Sequence, residues 1–260
     1  MSEAQSLTRE EAYALLAWYR EAGVDEAVEA APRDRLAPPP APSTALEAAG
    51  IGPSDAPQAS DPLLLAREQA RLATTLEELR NILAGFEGCP LKYTAKNMCF
   101  ADGNAEARIM FVGEAPGAEE DLQGKPFVGR AGRLLDRMLA SIGLDRTSAY
   151  IANIVYWRPP GNRTPTPQEI QVCKPFIERQ IELKAPEILV FLGGASAKEM
   201  MQRSDGILKM RGRWMEYRAG DRAIPAIATL HPAYLLRQPA QKRLAWRDLL
   251  SIRKALEGTR

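Results

Sequence analysis

The chain has one histidine, His231, only three cysteines, Cys89, Cys99 and Cys173, and no Cys-x-x-Cys pair. A zinc site built on paired cysteines is therefore excluded, since it needs closely spaced thiolate or imidazole ligands. An odd, small number of cysteines also argues against a disulfide framework. No apolar run approaches the roughly 20 residues needed to cross a bilayer. Met1 to Glu11 is polar and carries acids early, so it lacks the basic start and apolar middle of a secretory signal. A cytoplasmic protein that does not enter a membrane is expected. Net charge is scarce too, at +1.

The near-neutral total conceals an asymmetry. Residues 1–88 hold 15 acids and 7 bases, whereas residues 203–260 hold 13 bases and 5 acids. Clustered Lys and Arg are the electrostatic footprint of a nucleic-acid binder, although a solvated basic helix has the same composition. The hydrophobic fraction of 45% in 260 residues is enough for one large domain and an appendage. Thr8 and Glu11 form a capping-box pattern, and Ala12, Leu15, Leu16 and Tyr19 follow at helical spacing, so residues 1–30 read as a short helical segment of unidentified partner. Residues 31–62 carry eight prolines and few large apolar side chains. Such a stretch buries too little to offset its ordering entropy, and a disordered linker is expected there. The catalytic domain is placed at 63–260.

Within that domain residues 63–85 read as a helix. Arg108–Gly113 is a continuous apolar run suited to a buried parallel strand. Strands are also expected at Tyr150–Tyr156, Glu187–Leu192 and Ala223–Leu230, and helices at Arg130–Ile142, Pro167–Lys184, Ala195–Met201 and Pro239–Leu256. Alternating strands and helices predict an α/β fold, a three-layer α/β/α sandwich around a mainly parallel four-stranded sheet. Ligands of such sheets bind beyond the carboxyl ends of the strands. Glu114, Asn153 and His231 each fall just after a different strand.

The segment after the first strand reads Gly113-Glu114-Ala115-Pro116-Gly117 and continues through Glu120 to Pro126-Phe127-Val128-Gly129. Its glycines and prolines predict a rigid turn whose amides can be aimed without reorganisation. A nucleotide phosphate loop is excluded because no Gly-Lys-Ser/Thr follows. His231-Pro232-Ala233-Tyr234-Leu235-Leu236-Arg237 follows the last core strand. A proline-locked histidine followed by bulky apolar residues and an arginine suits a loop that wedges into a base stack.

These motifs, with Asn153 in Tyr150-Ile151-Ala152-Asn153-Ile154 and the run Arg158-Pro159-Pro160-Gly161-Asn162-Arg163, resemble the family-4 uracil-DNA glycosylases over about residues 76–256. The five motifs follow the family's order and spacing. The resemblance implies a monofunctional glycosylase that flips uracil out of single- or double-stranded DNA and hydrolyses its N-glycosidic bond, starting base excision repair. It implies Glu114, Glu120 and His231 as catalytic residues, Glu114 ranking ahead of Glu120 for water activation. Ala115, Phe127 and Asn153 would contact uracil, Phe127 by stacking and Asn153 by reading the base edge. Gly193, Gly194 and Ser196 would hold a DNA phosphate at a helix start. Tyr234, Leu235 and Leu236 would fill the vacated stack, and Arg237, with Lys198, Arg211 and Arg213, would meet phosphates. A monomer is expected.

Two departures qualify the match. Family members usually carry a four-iron, four-sulfide cluster on four cysteines. Only Cys89 and Cys173 stand at ligand positions here, and Phe86 and Trp157 take the other two. No cofactor is expected, because each iron of such a cluster normally needs its own ligand. Ala115 stands where the superfamily's best-known branch has an Asp, and the run 160–166 lacks the histidine of a covalently trapping branch. Two other readings stay open at this stage: a DNA-damage binding module without chemistry, and a glycosylase of broader range that takes hypoxanthine or mismatched thymine.

Overall fold

The computed structural model describes residues 61–258. The helical segment expected over 1–30 and the linker expected up to residue 60 lie outside the described residues. The last two residues of that expected linker are ordered. Asp61 accepts the Leu63 N–H at 2.9 Å and Pro62 opens the first helix, α1 (Pro62–Leu72).

The helix expected over 63–85 is two helices. Thr75 accepts the Glu78 N–H at 3.1 Å and caps α2 (Leu76–Gly85), while Ala73 before it is extended. A threonine side chain that competes for backbone amides ends one helix and starts the next. That local signal outweighs the continuous apolar spacing.

The sheet, among the described residues, has six strands in the order β1-β3-β2-β4-β6-β5. They are β1 (Asp102–Gly103), β2 (Ile109–Gly113), β3 (Tyr150–Asn153), β4 (Ile188–Leu192), β5 (Trp214–Ala219) and β6 (Arg222–Thr229). The four expected strands are the parallel centre, β3-β2-β4-β6. The two edges, β1 and β5, run antiparallel to their neighbours, so the sheet is mixed. Four strands were expected because β5 alternates exposed and buried residues and carries Glu216 and Arg218, an edge pattern without a continuous apolar run.

β2 and β4 are buried along their whole length, as strands covered on both faces must be. Alternate residues feed two cores. Met110 and Val112 pack with Leu79, Leu83, Phe176 and Ile177 from α2 and α5 (Pro167–Lys184). Ile109 and Phe111 pack on the other face with Leu135 and Leu139 of α4 (Arg130–Ala140) and Leu249 and Ile252 of α9 (Lys242–Gly258). This is the three-layer α/β/α arrangement. The shorter helices are α3 (Ala118–Gln123), α6 (Gly194–Met201), α7 (Ile207–Met210) and α8 (Pro232–Arg237). No helix among the described residues is long and apolar enough to cross a membrane.

From β2 the chain moves outward to β3, then returns across β2 to β4 and β6. That reversal opens a crevice at the carboxyl ends of the parallel strands.

Candidate active site

Gly113 and Asn153 are register partners at the ends of β2 and β3. A Cβ on Gly113 would lie 2.3 Å from Asn153 Oδ1 and 2.6 Å from the Phe127 ring, so this glycine is what lets an amide and an aromatic ring share one spot. On the other side the Gly193 N–H donates to the Thr229 carbonyl at 2.9 Å, tying the ends of β4 and β6. Gly193 has φ of +95°, and a Cβ there would stand 2.8 Å from His231 Cβ. The His231 and Phe127 rings lie 5.5 Å apart between centroids.

Glu114, Ala115, Phe127, Asn153 and His231, from four segments of the chain, thus line one open cavity of about 240 Å³. Two buried oxygens there have no partner among the described residues: Oε1 of Glu114 and Oδ1 of Asn153. A buried polar atom without a partner costs free energy unless a ligand or water completes it. Burial also pushes the Glu114 carboxyl above the ordinary carboxylate range. Both are marks of a working site rather than of a packed core.

His231 caps α8, its Nδ1 accepting the Ala233 N–H at 3.1 Å. An imidazole that accepts at Nδ1 carries its proton on Nε2 when neutral. Burial first, and then the Arg237 guanidinium, lowers the His231 pKa to about 4. The ring is therefore a neutral N–H donor at physiological pH.

Phe127 is buried with φ of +56°, a conformation that a bulky residue rarely adopts. Its surroundings hold it there. A Cβ on Gly132 would fall 1.7 Å from the Phe127 carbonyl oxygen, so only glycine permits α4 to start directly beneath that peptide. Arg146 donates to the Phe127 carbonyl and pairs with Asp102 and with Asp136, the latter at 2.8 Å. Nothing in the local sequence around Arg146 signals this role, which exists only once residues 102, 127, 136 and 146 are adjacent.

Glu120 is placed differently from the expectation of a catalytic carboxylate. Its Oε2 accepts the Gly117 N–H at 3.1 Å, and its Oε1 accepts the N–H groups of Val128 at 3.0 Å and Gly129 at 2.8 Å. It borders the cavity, but both of its oxygens are engaged by backbone amides. It clamps the turn after β2 to the segment that carries Phe127. Each amide left unpaired costs about 1–3 kcal/mol. Glu120→Ala is expected to lower the thermal unfolding midpoint by roughly 5–10 °C together with activity. A fall in rate at an unchanged midpoint in calorimetry would instead restore a chemical role.

Pro159 and residues 162–165 form one wall of the cavity, a role that the sequence motifs do not signal. Asn162, at φ of +57°, accepts from Arg158 Nε at 2.7 Å. Arg163 makes a two-pronged pair with Glu169, at 2.8 and 2.6 Å, and Glu169 also accepts the Thr166 N–H at the start of α5. Asn162 and Arg163 both line the cavity.

A second, larger groove of about 660 Å³ continues from this cavity, sharing Glu114, Asn162, His231 and Ala233 with it. Gly193, Gly194, Tyr234 and Arg237 line it. Arg237, Lys198 and Arg213 are exposed. Three expected DNA contacts do not fit their places. Leu235 is buried in the core beside Leu249 and cannot enter a base stack, because an α-helix that presents Tyr234 and Leu236 outward turns the residue between them inward. The Ser196 hydroxyl is buried and donates to the Leu192 carbonyl at 3.0 Å. Arg211 is held by buried Asp248, with 2.9 Å from Nε to Oδ2, and Asp248 also accepts from Thr229 at 2.7 Å.

The cluster positions were tested on their packing. Phe86 and Trp157 are both buried, the first with its ring 5.0 Å from Phe176 and the second edge-on to Tyr156 at 6.3 Å. Cys89 and Cys173 stand with sulfurs 3.8 Å apart, in mutual contact. Cys99 is turned away, donating to the Glu120 carbonyl at 3.2 Å. Two touching thiols and two hydrocarbon rings do not fit a four-iron cluster, which needs ligands spread around a cube. Among the described residues no group of three or more His, Cys, Asp or Glu side chains is disposed to hold a metal ion.

The comparisons with known proteins agree with this geometry. Residues 100–250 match the family model described as "Uracil DNA glycosylase superfamily". The chain is 41% identical over 182 residues to a type-4 uracil-DNA glycosylase of Thermotoga maritima, covering 67% of this chain and 93% of the relative. It is 40% identical over 169 residues to a type-4 uracil-DNA glycosylase of Archaeoglobus fulgidus, covering 64% and 85%. A type-5 uracil-DNA glycosylase of Thermus thermophilus is 32% identical over 154 residues, covering 54% and 68%.

Proposed function

This chain belongs to the uracil DNA glycosylase superfamily, and from that premise we propose how its pocket excises uracil from DNA. The protein is a uracil-DNA glycosylase of base excision repair, an N-glycosyl hydrolase acting on uracil-containing DNA. The observation that carries the assignment of roles is the pair of orphaned buried oxygens, Glu114 Oε1 and Asn153 Oδ1, in a cavity walled by Phe127 and a neutral histidine.

A uracil turned out of the stack enters beside Phe127, whose ring offers stacking worth roughly 1–3 kcal/mol. Asn153 reads the base edge, Oδ1 accepting from N3–H and the amide nitrogen donating to O4. Cytosine presents the opposite pattern at both atoms and leaves these buried groups unpaired. As the bond between N1 and C1′ lengthens, its electron pair passes to the base and negative charge grows on O2. The Nε2–H of His231 donates to that oxygen. Positive charge grows on the sugar, where the Glu114 carboxylate stabilises it, orients water for attack at C1′ and takes the proton that water releases.

The extended groove past His231 suits the DNA strand, with the Gly193-Gly194 turn at a phosphate and Arg237 along the backbone, exposed Lys198 and Arg213 adding positive charge to this part of the chain. Tyr234 and Leu236 remain to support the vacated stack, Leu236 being 37% exposed. The enzyme acts as a cytoplasmic monomer on uracil in single- or double-stranded DNA.

Single-turnover excision from labelled uracil oligonucleotides tests the carboxylate's role. Glu114→Gln is expected to cut the rate by roughly 10²-fold or more. In the wild type the ionised carboxylate is the active form, so activity falls as pH drops through its raised pKa, above the ordinary value of 4.5. The Gln variant loses that acid limb. Wild-type rates in Glu114→Gln would remove the carboxylate from the mechanism.

A further inference from the structure

Cys89 and Cys173 lie 84 residues apart in sequence, yet the thiol of Cys173 donates to the sulfur of Cys89 across 3.8 Å. Cys89 precedes the short 3-10 turn Pro90–Tyr93, which links α2 to the edge strand β1, and Cys173 sits in the second turn of α5. Both are fully buried, in the same core as Phe86 and Trp157, which stand at the other two ligand positions. Two buried thiols in contact, with no third His, Cys, Asp or Glu among the described residues disposed to hold a metal beside them, are geometrically suited to one reaction with each other. Disulfide formation needs the sulfurs to close from 3.8 Å to about 2.05 Å, a shift of under about 2 Å.

We propose that Cys89 and Cys173 form a site of reversible oxidation that closes one intramolecular disulfide in response to a peroxide. The sulfur of Cys89 attacks a peroxide oxygen and becomes a sulfenic acid, releasing water once its thiol proton is counted. The Cys173 sulfur then displaces the hydroxyl, which leaves with the Cys173 proton as a second water. Overall, two thiols lose two electrons and two protons, and hydrogen peroxide is reduced to two waters. A thiol reductant reverses the change by exchange through a mixed disulfide.

The bond would tie the segment ahead of the sheet to α5, whose first turn carries Glu169 and so holds Arg163 at the pocket wall. Cross-linking residues so far apart restricts the unfolded chain, which stabilises the fold. Oxidation here therefore locks the catalytic domain. Cys99 supplies an internal control, since its sulfur faces the Glu120 carbonyl and not another thiol.

The test uses the full-length protein, reduced, freed of reductant and exposed to hydrogen peroxide in slight excess. Thiols are then counted after denaturation, and peptides are mapped by mass spectrometry. The three thiols should fall to one, with a peptide pair joined through Cys89 and Cys173 and separated again by dithiothreitol. The thermal midpoint should rise by roughly 5–15 °C on oxidation. Cys99→Ala should behave as the wild type, and Cys173→Ala should lose both the cross-link and the shift. Should Cys173→Ala fail to fold, mapping in the Cys99→Ala background still assigns the pair. Three surviving thiols, a sulfinic acid on Cys89 without a cross-link, or bonds between chains would each overturn the proposal. So would stoichiometric iron and sulfide after anaerobic reconstitution, since the same two sulfurs would then be ligands.

Discussion

His231→Ala is expected to lower the single-turnover rate of uracil excision by about 10²–10³, with the affinity for uracil-containing DNA largely kept. The loss arises at the transition state, because the charge that His231 meets is present only while the glycosidic bond breaks. Removing a donor aimed at a developing oxyanion raises that barrier and leaves ground-state contacts intact. The protonation state adds a sharper check. With its pKa pushed down to about 4, the imidazole stays neutral as pH falls from 8 to 5. The wild-type rate should show no rise as pH falls through 6.5, the ordinary histidine value, the acid limb it does show belonging to Glu114. A charged imidazolium would act oppositely, the rate rising as pH falls through its pKa. A rate increase between pH 7 and 5.5 that disappears in His231→Ala would refute the neutral donor.

The second large effect concerns which base is accepted. Asn153→Asp should reduce the preference for uracil over cytosine by about 100-fold or more. Asn153 is 1% exposed, so a carboxyl there sits in surroundings that favour its protonated form. A protonated carboxyl donates to the N3 of cytosine and accepts from its amino group, the pattern that the native amide refuses. The ionised form serves uracil poorly, having no donor for O4. Competition between uracil and cytosine oligonucleotides, scored as alkali-labile sites, measures the ratio. A variant that still rejects cytosine and keeps the native uracil rate would separate Asn153 from base reading.

Most of the framework behind these expectations is local in origin and so was readable from the chain. Apolar runs at 108–113 and 187–192 mark strands buried on both faces, and Thr166 with Pro167 and Glu169 marks the start of α5. The edge strand β5 escaped notice because an edge needs only one apolar face. The break at Ala73 escaped notice because a threonine cap is a short-range competitor hidden inside an apolar period.

Site residues followed the same division. Glu114 and His231 sit just after strands that apolar spacing marks, whereas β3 ends at Asn153, short of the Tyr156 that spacing suggests. Glu120, Leu235, Ser196 and Arg211 are polar or bulky residues in the right neighbourhood whose side chains point elsewhere. The direction of Glu120 and Arg211 depends on partners 8 and 37 positions away, Val128 and Asp248, whereas Ser196 turns onto Leu192, four positions back.

The order of the four central strands and the helices between them, the carboxyl-end crevice and the chemical kinds gathered at it were determined by the sequence alone, because periodicity and motif spacing are properties of nearest neighbours along the chain. Only the tertiary structure decided which carboxylate is left unpaired and which is consumed as a clamp, why Phe127 holds a left-handed backbone over Gly132, and that Cys89 touches Cys173. The physical reason is that hydrogen-bond satisfaction and close packing are settled between segments distant in sequence, where a shift of one ångström changes a partner.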